Sequence, residues 1–178
     1  MSFKFSNFTV TKQVFYSTKL SFALVNLKPI LPGHVLVCPR RQIGRLTELR
    51  SEEVADLFQT AQLVARAVEQ YYDGRGLNIA VQDGPVAGQS VNHVHCHVIP
   101  RQIKDLKYAD QLYELLNVHD VNEVFSQVRK TALEGSELVP DEDRKPRSME
   151  QMETEATKLR EFIEAHYEEL SSENYKSK

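Results

Sequence analysis

Three histidines spaced two residues apart are the part of this sequence best suited to chemistry. His93, His95 and His97 are separated by single apolar residues, and such alternation with β-branched spacers predicts a β-strand. Successive side chains of a strand point to opposite faces, so the three imidazoles are expected to share one face. Val94 and Cys96 would then face the core. A row of imidazoles supplies nucleophiles, hydrogen-bond donors and metal ligands near neutral pH.

A loop containing glycines precedes this strand and suggests anion binding. Glycine allows backbone N–H groups to converge on an anion. The loop residues predicted to hold nonbridging phosphate oxygens are Gly88, Gln89, Ser90 and Val91. Gln82 stands at the start of the loop, and we expect its amide to donate to a bridging or leaving oxygen. Histidines beside such a loop indicate chemistry on phosphate.

The position of each histidine predicts a division of roles. His95 is flanked on both sides along its face, so it is the expected nucleophile, with its other ring nitrogen donating to a fixed acceptor. His93 and His97 would donate to phosphate oxygens and stabilise the charge that develops there. Preorganised donors of this kind each contribute on the order of a few kcal/mol.

Zinc binding is the main alternative for the same residues, because imidazole is a common zinc ligand. At about 3.3 Å per residue, His93 and His97 would lie about 13 Å apart, which one tetrahedral ion cannot readily span. A zinc protein would contain stoichiometric metal by elemental analysis. Three unrelated surface histidines are a further reading, since histidine is often exposed.

The run HVHCHVIP at 93–100 resembles the motif of the histidine triad nucleotide hydrolases and transferases. The longer run QDGPVAGQSVNHVHCHVIPR at 82–101 is similar to their fragile-histidine-triad branch, the dinucleoside triphosphate hydrolases. LSFALVNLKPILPGHVLVCPR at 20–40 and LRSEEVADLFQTAQ at 49–62 resemble the same branch. The similarity covers most of the chain to about residue 120 and returns weakly near 147–162.

This resemblance implies hydrolysis of diadenosine triphosphate to AMP and ADP through a nucleotidylated His95. It also implies that Asn26 contacts the nucleotide sugar, that His34 lies beside the triad, and that Gln82 acts near the scissile bridge. The transferase branch typically has glutamine where this chain has His97, so hydrolysis is favoured. Hydrolysis of adenylyl amidates, nucleotidyl transfer and a nucleotide-sensing module without turnover remain as alternatives.

The resemblance also bears on the substrate cleft, on cofactors and on assembly. Residues that would line a purine cleft, and that suit a core equally well, are Phe3, Phe5, Leu24 and Leu36. No cofactor is expected in the protein, although a divalent cation such as magnesium or manganese is compatible with the substrate. Proteins of this kind are two-fold dimers, so a homodimer is expected, and an apolar stripe near the C-terminus supports it.

Composition limits the remaining classes of function. The chain has 178 residues with 41% hydrophobic content, which suits one globular domain. Its net charge of −3 argues against a broad nucleic-acid surface. No apolar run approaches the ~20 residues that span a bilayer. Cys38 and Cys96 lie in apolar runs and do not form a disulfide framework, so we expect a soluble cytoplasmic protein, with the nucleus as a second location.

The elements that must position these residues are mostly strands. The predicted strands are Gln13–Ser17, Leu20–Leu27, His34–Pro39, Leu77–Gln82 and Asn92–Pro100. A helix is predicted from Ser51, as its cap, to about Asp73, and a second amphipathic helix near the C-terminus. The expected fold is therefore α+β, with an antiparallel sheet of about five strands continued across a dimer. Residues 1–120 would form the catalytic domain, 121–147 a mobile polar segment, and 148–178 a C-terminal helix and tail.

Overall fold

The structure is a computed structural model that describes residues 2–107, 111–116 and 144–177. Its strands are Lys4–Phe5 (β1), Phe8–Thr9 (β2), Val14–Ser17 (β3), Ser21–Val25 (β4), Val35–Pro39 (β5), Gly76–Val81 (β6) and Cys96–Arg101 (β7). Its helices are Ser51–Tyr71 (α1), Gln111–Leu116 (α2) and Met149–Ser171 (α3). Short 3-10 turns occur at Thr11–Gln13, Leu46–Glu48 and Pro85–Ala87.

Five strands form one antiparallel sheet in the order β3-β4-β5-β7-β6, and β1 and β2 form a separate hairpin. The central strands β4 and β5 are buried on both faces. Helices α1 and α3 pack on one face, while the β1–β2 hairpin contributes Phe5 to a smaller apolar cluster on the other. The predicted α+β fold with about five antiparallel strands is confirmed.

Helix α1 begins where its sequence predicts, although its cap differs from the expected one. The expected cap, Ser51, is the first helical residue, and Arg50 occupies the N-cap position. The Glu53 carboxylate accepts the Arg50 backbone N–H at 2.8 Å, which satisfies a donor that the helix cannot pair itself. Glu53 also accepts two bonds from Arg41, which lower the pKa of Glu53 to about 2.

The C-terminal helix packs on the body of its own chain. The side chains that α3 buries in the main core are Met152, Ala156, Leu159, Ile163 and Leu170. These residues belong to the apolar stripe that supported the predicted dimer, of which Met149 stays exposed. Because most of the stripe is covered within the chain, it lends the dimer little support, and the homodimer stays a prediction.

The segment before α3 is held against the sheet in the part that the structure describes. Of the predicted mobile segment 121–147, residues 121–143 lie outside the described residues. Arg147, however, donates its backbone N–H to the Leu27 carbonyl at 3.0 Å. Ser148 caps α3 by accepting the Gln151 N–H at 3.2 Å. The end of the predicted segment is therefore hydrogen-bonded to the body of the chain, and its mobility stays a prediction.

Both cysteines, Cys38 and Cys96, are buried free thiols on neighbouring strands. Burial raises the pKa of Cys96 to about 12, so it behaves as a small apolar residue. Within the described ranges, no helix has the length and apolar character needed to cross a membrane.

Candidate active site

A cavity of about 620 Å³ opens beside the β1–β2 hairpin and the ends of β4, β5 and β7. One wall is apolar and includes Phe5, Val10, Leu24 and Leu36. The polar side chains that reach it include Asn26, His34, Gln82, His95 and His97. Phe3 instead packs on Phe22, with ring centroids 5.3 Å apart. An apolar wall facing a few converging polar groups is the usual form of a small-molecule site.

The strand that carries the histidines is shorter than its alternation predicts. Hydrogen-bonded pairing of β7 begins at Cys96, so His93 and His95 precede the strand. The alternation of side chains continues upstream nevertheless, because Val94, like Cys96, belongs to the main core. His95 and His97 therefore reach the cavity as expected, while His93 lies deeper.

His95 is held in one tautomer by a backbone carbonyl. Its Nδ1 lies 2.7 Å from the His93 carbonyl oxygen, which can only accept, so Nδ1 carries the proton and Nε2 carries a lone pair. The Phe5 ring meets the imidazole edge-on, with centroids 5.3 Å apart. Burial lowers the pKa of His95, so the ring is neutral near neutral pH. These features suit a nitrogen nucleophile.

His93 does not have the predicted role of a donor to phosphate. Its Nδ1 accepts the Ser6 backbone N–H at 2.9 Å, and its Nε2 lies 2.9 Å from the Pro39 carbonyl. Both ring nitrogens are thus used by the backbone, and the side chain is fully buried beneath the hairpin. His93 instead joins the hairpin to β5 and presents its own carbonyl to His95.

His34 and His97 form a chain of hydrogen bonds that ends at the cavity. The Ile30 N–H donates to His34 Nδ1 at 3.1 Å, so the His34 proton lies on Nε2. That nitrogen is 2.9 Å from His97 Nδ1, which must then accept, leaving the His97 proton on Nε2. In the part of the chain that the structure describes, His97 Nε2 is buried without a hydrogen-bond partner. An orphaned buried donor at a cavity points to a ligand acceptor.

Burial in this arrangement keeps the imidazole rings of His34 and His97 uncharged. Burial, the positive charge of Arg144, and His95 lower the pKa of His34 to about 3. Burial and the neighbouring His34 and His95 hold the pKa of His97 well below its ordinary value. His97 is therefore a neutral donor.

Asn26 lies at the edge of this chain of hydrogen bonds. Its Oδ1 accepts the Lys28 N–H at 3.0 Å, which orients the amide, and its Nδ2 is 3.2 Å from His34 Nε2. In the tautomer derived above, those two nitrogens are both donors. The Asn26 amide is therefore suited to donate to an acceptor on a ligand.

The glycine loop contributes less to the cavity than its sequence suggests. Ser90 and Val91 line it, but the Gly88 N–H donates to the Pro85 carbonyl and the Gln89 N–H to the Gly84 carbonyl. The Gln89 amide bonds the Gly84 N–H and the Gly44 carbonyl, at 2.8 and 2.9 Å. Gly88 and Gln89 therefore hold the loop in shape, and their phosphate contacts stay a prediction.

Gln82 lines the cavity as predicted, but its amide is already engaged. Its Nε2 donates to the Leu116 carbonyl, at the end of α2, at 3.1 Å. Contact with a bridging oxygen would require this bond to be exchanged for one to the ligand.

The charges of the cavity suit an anion. Among the described lining residues, Lys28 and Arg144 are the cations and none is acidic. Sequence reasoning missed both. Lys28 lies within residues 20–40, which resemble the family, so it could have been identified from the sequence. Arg144 lies in a polar stretch without periodicity, which gave no such signal. Together, the site offers a nitrogen nucleophile, neutral donors, an apolar wall and positive charge.

The chain is similar to a known domain family and to two enzymes that act on dinucleoside polyphosphates by name. A family model described as the HIT domain matches residues 7–104, a range that contains His34, His93, His95 and His97. A bis(5'-adenosyl)-triphosphatase of Dictyostelium discoideum is 43% identical over 152 residues, covering 85% of this chain and 86% of the relative. An asymmetrical bis(5'-nucleosyl)-tetraphosphatase of Schizosaccharomyces pombe is 42% identical over 174 residues, covering 92% and 96%.

The fold is also similar to a solved structure. The crystal structure of Plasmodium falciparum diadenosine triphosphate hydrolase in complex with Cyclomarin A has a TM-score of 0.69 to this chain. Sequence identity is 27%, and the similarity covers 93% of this chain and 86% of the other.

Proposed function

This chain belongs to the HIT domain family, and from that membership and the geometry of its cavity we propose that it hydrolyses diadenosine triphosphate to AMP and ADP. The reaction proceeds through a covalent nucleotidyl intermediate on His95. The observation that carries this proposal is the bond between His95 Nδ1 and the His93 carbonyl. It leaves the Nε2 lone pair of a neutral ring at the cavity, where an in-line attack on phosphorus is open to it.

The first step exchanges one bond to phosphorus for another. His95 Nε2 attacks the phosphorus of the AMP portion, a P–N bond forms, and the bridging P–O bond breaks to release ADP. The ring keeps its Nδ1 proton and becomes positively charged. The His93 carbonyl, as a fixed acceptor at 2.7 Å, stabilises this cation.

The second step restores the enzyme. Water attacks the same phosphorus and loses a proton to the solvent, the P–N bond breaks, and the electron pair returns to His95 Nε2 as AMP leaves. Neutral His97 donates from Nε2 to a phosphate oxygen whose negative charge increases during each step. Removing one preorganised donor of this kind typically lowers kcat by about 10²–10³-fold.

The substrate fits the two kinds of surface in the cavity. The apolar wall suits a purine, and the Asn26 amide suits its sugar. The cations Lys28 and Arg144 suit the phosphate chain. In this proposal, Gln82 exchanges its bond to Leu116 for one to the leaving oxygen.

A longer substrate is the second candidate. The S. pombe relative is named as an asymmetrical bis(5'-nucleosyl)-tetraphosphatase and is nearly as similar as the triphosphatase. Purified protein should therefore be given diadenosine tri- and tetraphosphate in parallel, with products separated by ion-exchange chromatography. The proposal expects AMP and ADP with the higher kcat/KM on the triphosphate. Faster release of AMP and ATP from the tetraphosphate would transfer the assignment to the longer substrate.

The same assay separates the remaining alternatives. An adenylyl-amidate hydrolase would act faster on an adenosine phosphoramidate than on either dinucleotide, and a nucleotidyl transferase would require an acceptor phosphate. A sensor would bind dinucleotides tightly without releasing AMP.

Homodimerisation through the edge of the sheet is part of this proposal. Strand β6 is one of the two edge strands of the sheet, and no described strand pairs with its outer side. It exposes 48% of Ile79. An exposed apolar edge favours pairing with a second copy. Sedimentation equilibrium should give about twice the chain mass at micromolar concentration, and Ile79→Lys should shift it towards the monomer. A wild-type monomer would contradict the dimer.

We also propose that the protein works in the cytoplasm, with the nucleus as a second location. The two buried free thiols support a reducing compartment. Imaging of a fluorescently tagged chain tests this, and accumulation in a secretory compartment would contradict it.

A further inference from the structure

The bound substrate would bring more negative charge into the cavity than its histidines can offset. The three phosphates of the proposed substrate are anionic, whereas low pKa values keep His34, His95 and His97 neutral. Among the described lining residues, only Lys28 and Arg144 are positively charged. These two side chains are therefore the described lining residues whose charge is opposite to that of the phosphates. Lys28 lies in the segment that also carries Asn26, but Arg144 comes from a distant part of the chain.

Arg144 is held at the cavity by an anchor three residues later. The Arg147 backbone N–H donates to the Leu27 carbonyl at 3.0 Å, and Arg147 Nε donates to the Asn26 carbonyl at 3.0 Å. Arg147 Nη2 donates to the same Asn26 carbonyl, and Nη1 pairs with Glu155 in the first turns of α3. Glu155 also accepts from the Tyr72 hydroxyl on α1's C-terminal side. The anchor therefore connects the loop beside the site to both long helices.

The surroundings of Arg144 suit a side chain that binds an anion in the cavity. The residue is half-buried, its Nε atom is fully buried, and its charge reaches the site, since it contributes to the low pKa of His34. Its neighbour Lys145 is exposed and does not line the cavity. Guanidinium presents a planar fork of donors that matches phosphate oxygens in pairs.

We propose that Arg144, held by the Arg147 anchor, contacts the phosphate chain of the bound dinucleotide and contributes to the affinity for polyphosphate. This proposal rests on the proposed function, of which it names a further binding residue. Arg144 belongs to the segment that leads into α3 and not to the strands that carry the histidines. A contact made equally in the ground state and the transition state changes KM more than kcat.

Inorganic tripolyphosphate is a probe that tests this contact without turnover. Its dissociation constant should be measured by titration calorimetry for the wild-type chain, Arg144→Ala, Arg144→Lys and the matched control Lys145→Ala. We expect Arg144→Ala to bind about tenfold more weakly, Arg144→Lys to recover part of the loss, and Lys145→Ala to bind as the wild type does. The dependence of affinity on salt should also weaken in Arg144→Ala. Equal affinities for Arg144→Ala and wild type, or an equal loss in Lys145→Ala, would overturn the proposal.

Two further measurements separate this proposal from the proposed function. Adenosine, which carries no phosphate, should bind to wild type and Arg144→Ala with equal affinity. If Arg144→Ala bound adenosine about tenfold more weakly as well, the variant would have damaged the cavity. Absence of dinucleotide hydrolysis would defeat the proposed function but leave the tripolyphosphate result standing. In a double-mutant cycle, Arg147→Ala should add little to Arg144→Ala if Arg147 acts by holding Arg144. Fully additive losses would overturn the anchoring role.

Discussion

Two histidine pairs meet at the cavity and differ in what fixes their protons. In one pair, the His93 carbonyl holds the proton of His95 on Nδ1. In the other, His34 donates to His97 Nδ1 and leaves the His97 proton on Nε2. The atom at the cavity is consequently a lone pair on His95 and an N–H on His97. Identical side chains two residues apart thus become a nucleophile and a donor.

The comparison shows that the pattern of histidines does not determine the chemistry alone. Their different functions depend on different partners. His97 is fixed by His34, which comes from a distant segment and is itself oriented by the Ile30 N–H, whereas His95 is fixed by the backbone carbonyl two residues before it. Burial lowers the pKa of both rings, so neither role depends on an imidazolium before reaction.

Replacing the nucleophile should cause the largest decrease in kcat of the three replacements that test this comparison. His95→Asn removes Nε2 and should reduce kcat at least about a thousandfold, because the attacking atom is lost. Binding of diadenosine triphosphate, measured by calorimetry, should remain within a few-fold of the wild type. Near-normal kcat in a folded His95→Asn protein would show that another group attacks phosphorus.

Replacing the donor should have a smaller effect that depends on the substitute. His97→Asn withdraws the N–H from the cavity and should reduce kcat about 10²-fold. His97→Gln places an amide nearer to the lost Nε2 and should recover part of the rate. If both variants lost as much as His95→Asn, the separation of roles would not hold. Single-turnover kinetics with each variant provides the measurement.

Changing the residue that fixes the donor should have a smaller effect still. His34→Gln keeps an amide N–H able to reach His97 Nδ1, whereas His34→Asn retains only the acceptor position near the Ile30 N–H. We expect kcat to fall about tenfold in the asparagine variant and less in the glutamine variant. The reverse order, measured under saturating substrate, would contradict the tautomer assigned to His97.

The low pKa of His34 predicts how acid affects folding. Its folded pKa is about 3, below the ordinary value near 6.5. Between these values the unfolded chain binds a proton that the folded chain does not, so the free energy of unfolding falls as pH falls. One such group contributes a slope that approaches about 1.4 kcal/mol per pH unit once the pH lies below about 6.5. Urea unfolding of wild type and His34→Asn at pH 7, 6 and 5 should show a smaller loss of stability in the variant, with most of the difference between pH 6 and 5, and parallel curves would contradict it.

Much of this architecture could be predicted because it follows from periodicity. Alternation placed Val94, Cys96 and Val98 in the core and opposed them to His95 and His97. The three-four spacing of α3 predicted a helix with a buried face. Local pattern therefore identified the elements and most of the cavity's side chains.

The rest depends on contacts between residues far apart in sequence. No pattern near His93 shows that Ser6 and Pro39 will occupy its ring nitrogens. Likewise, the Gln89 amide accepts a hydrogen bond from the Gly84 N–H and donates one to the Gly44 carbonyl, and sequence spacing cannot show these bonds. Arg144 lines the cavity, and Arg147, three residues later, binds the Asn26 carbonyl 121 residues away.

The stereochemical course at phosphorus tests the covalent role of His95 most directly. The substrate is a diadenosine triphosphate with a chiral phosphorothioate at the reacting phosphorus, hydrolysed in water enriched in a heavy oxygen isotope. Attack by His95 Nε2 followed by attack of water gives two inversions, so the account predicts overall retention, with the heavy oxygen in the AMP analogue and not in ADP. Overall inversion would mean direct attack by water and would contradict the covalent intermediate on His95.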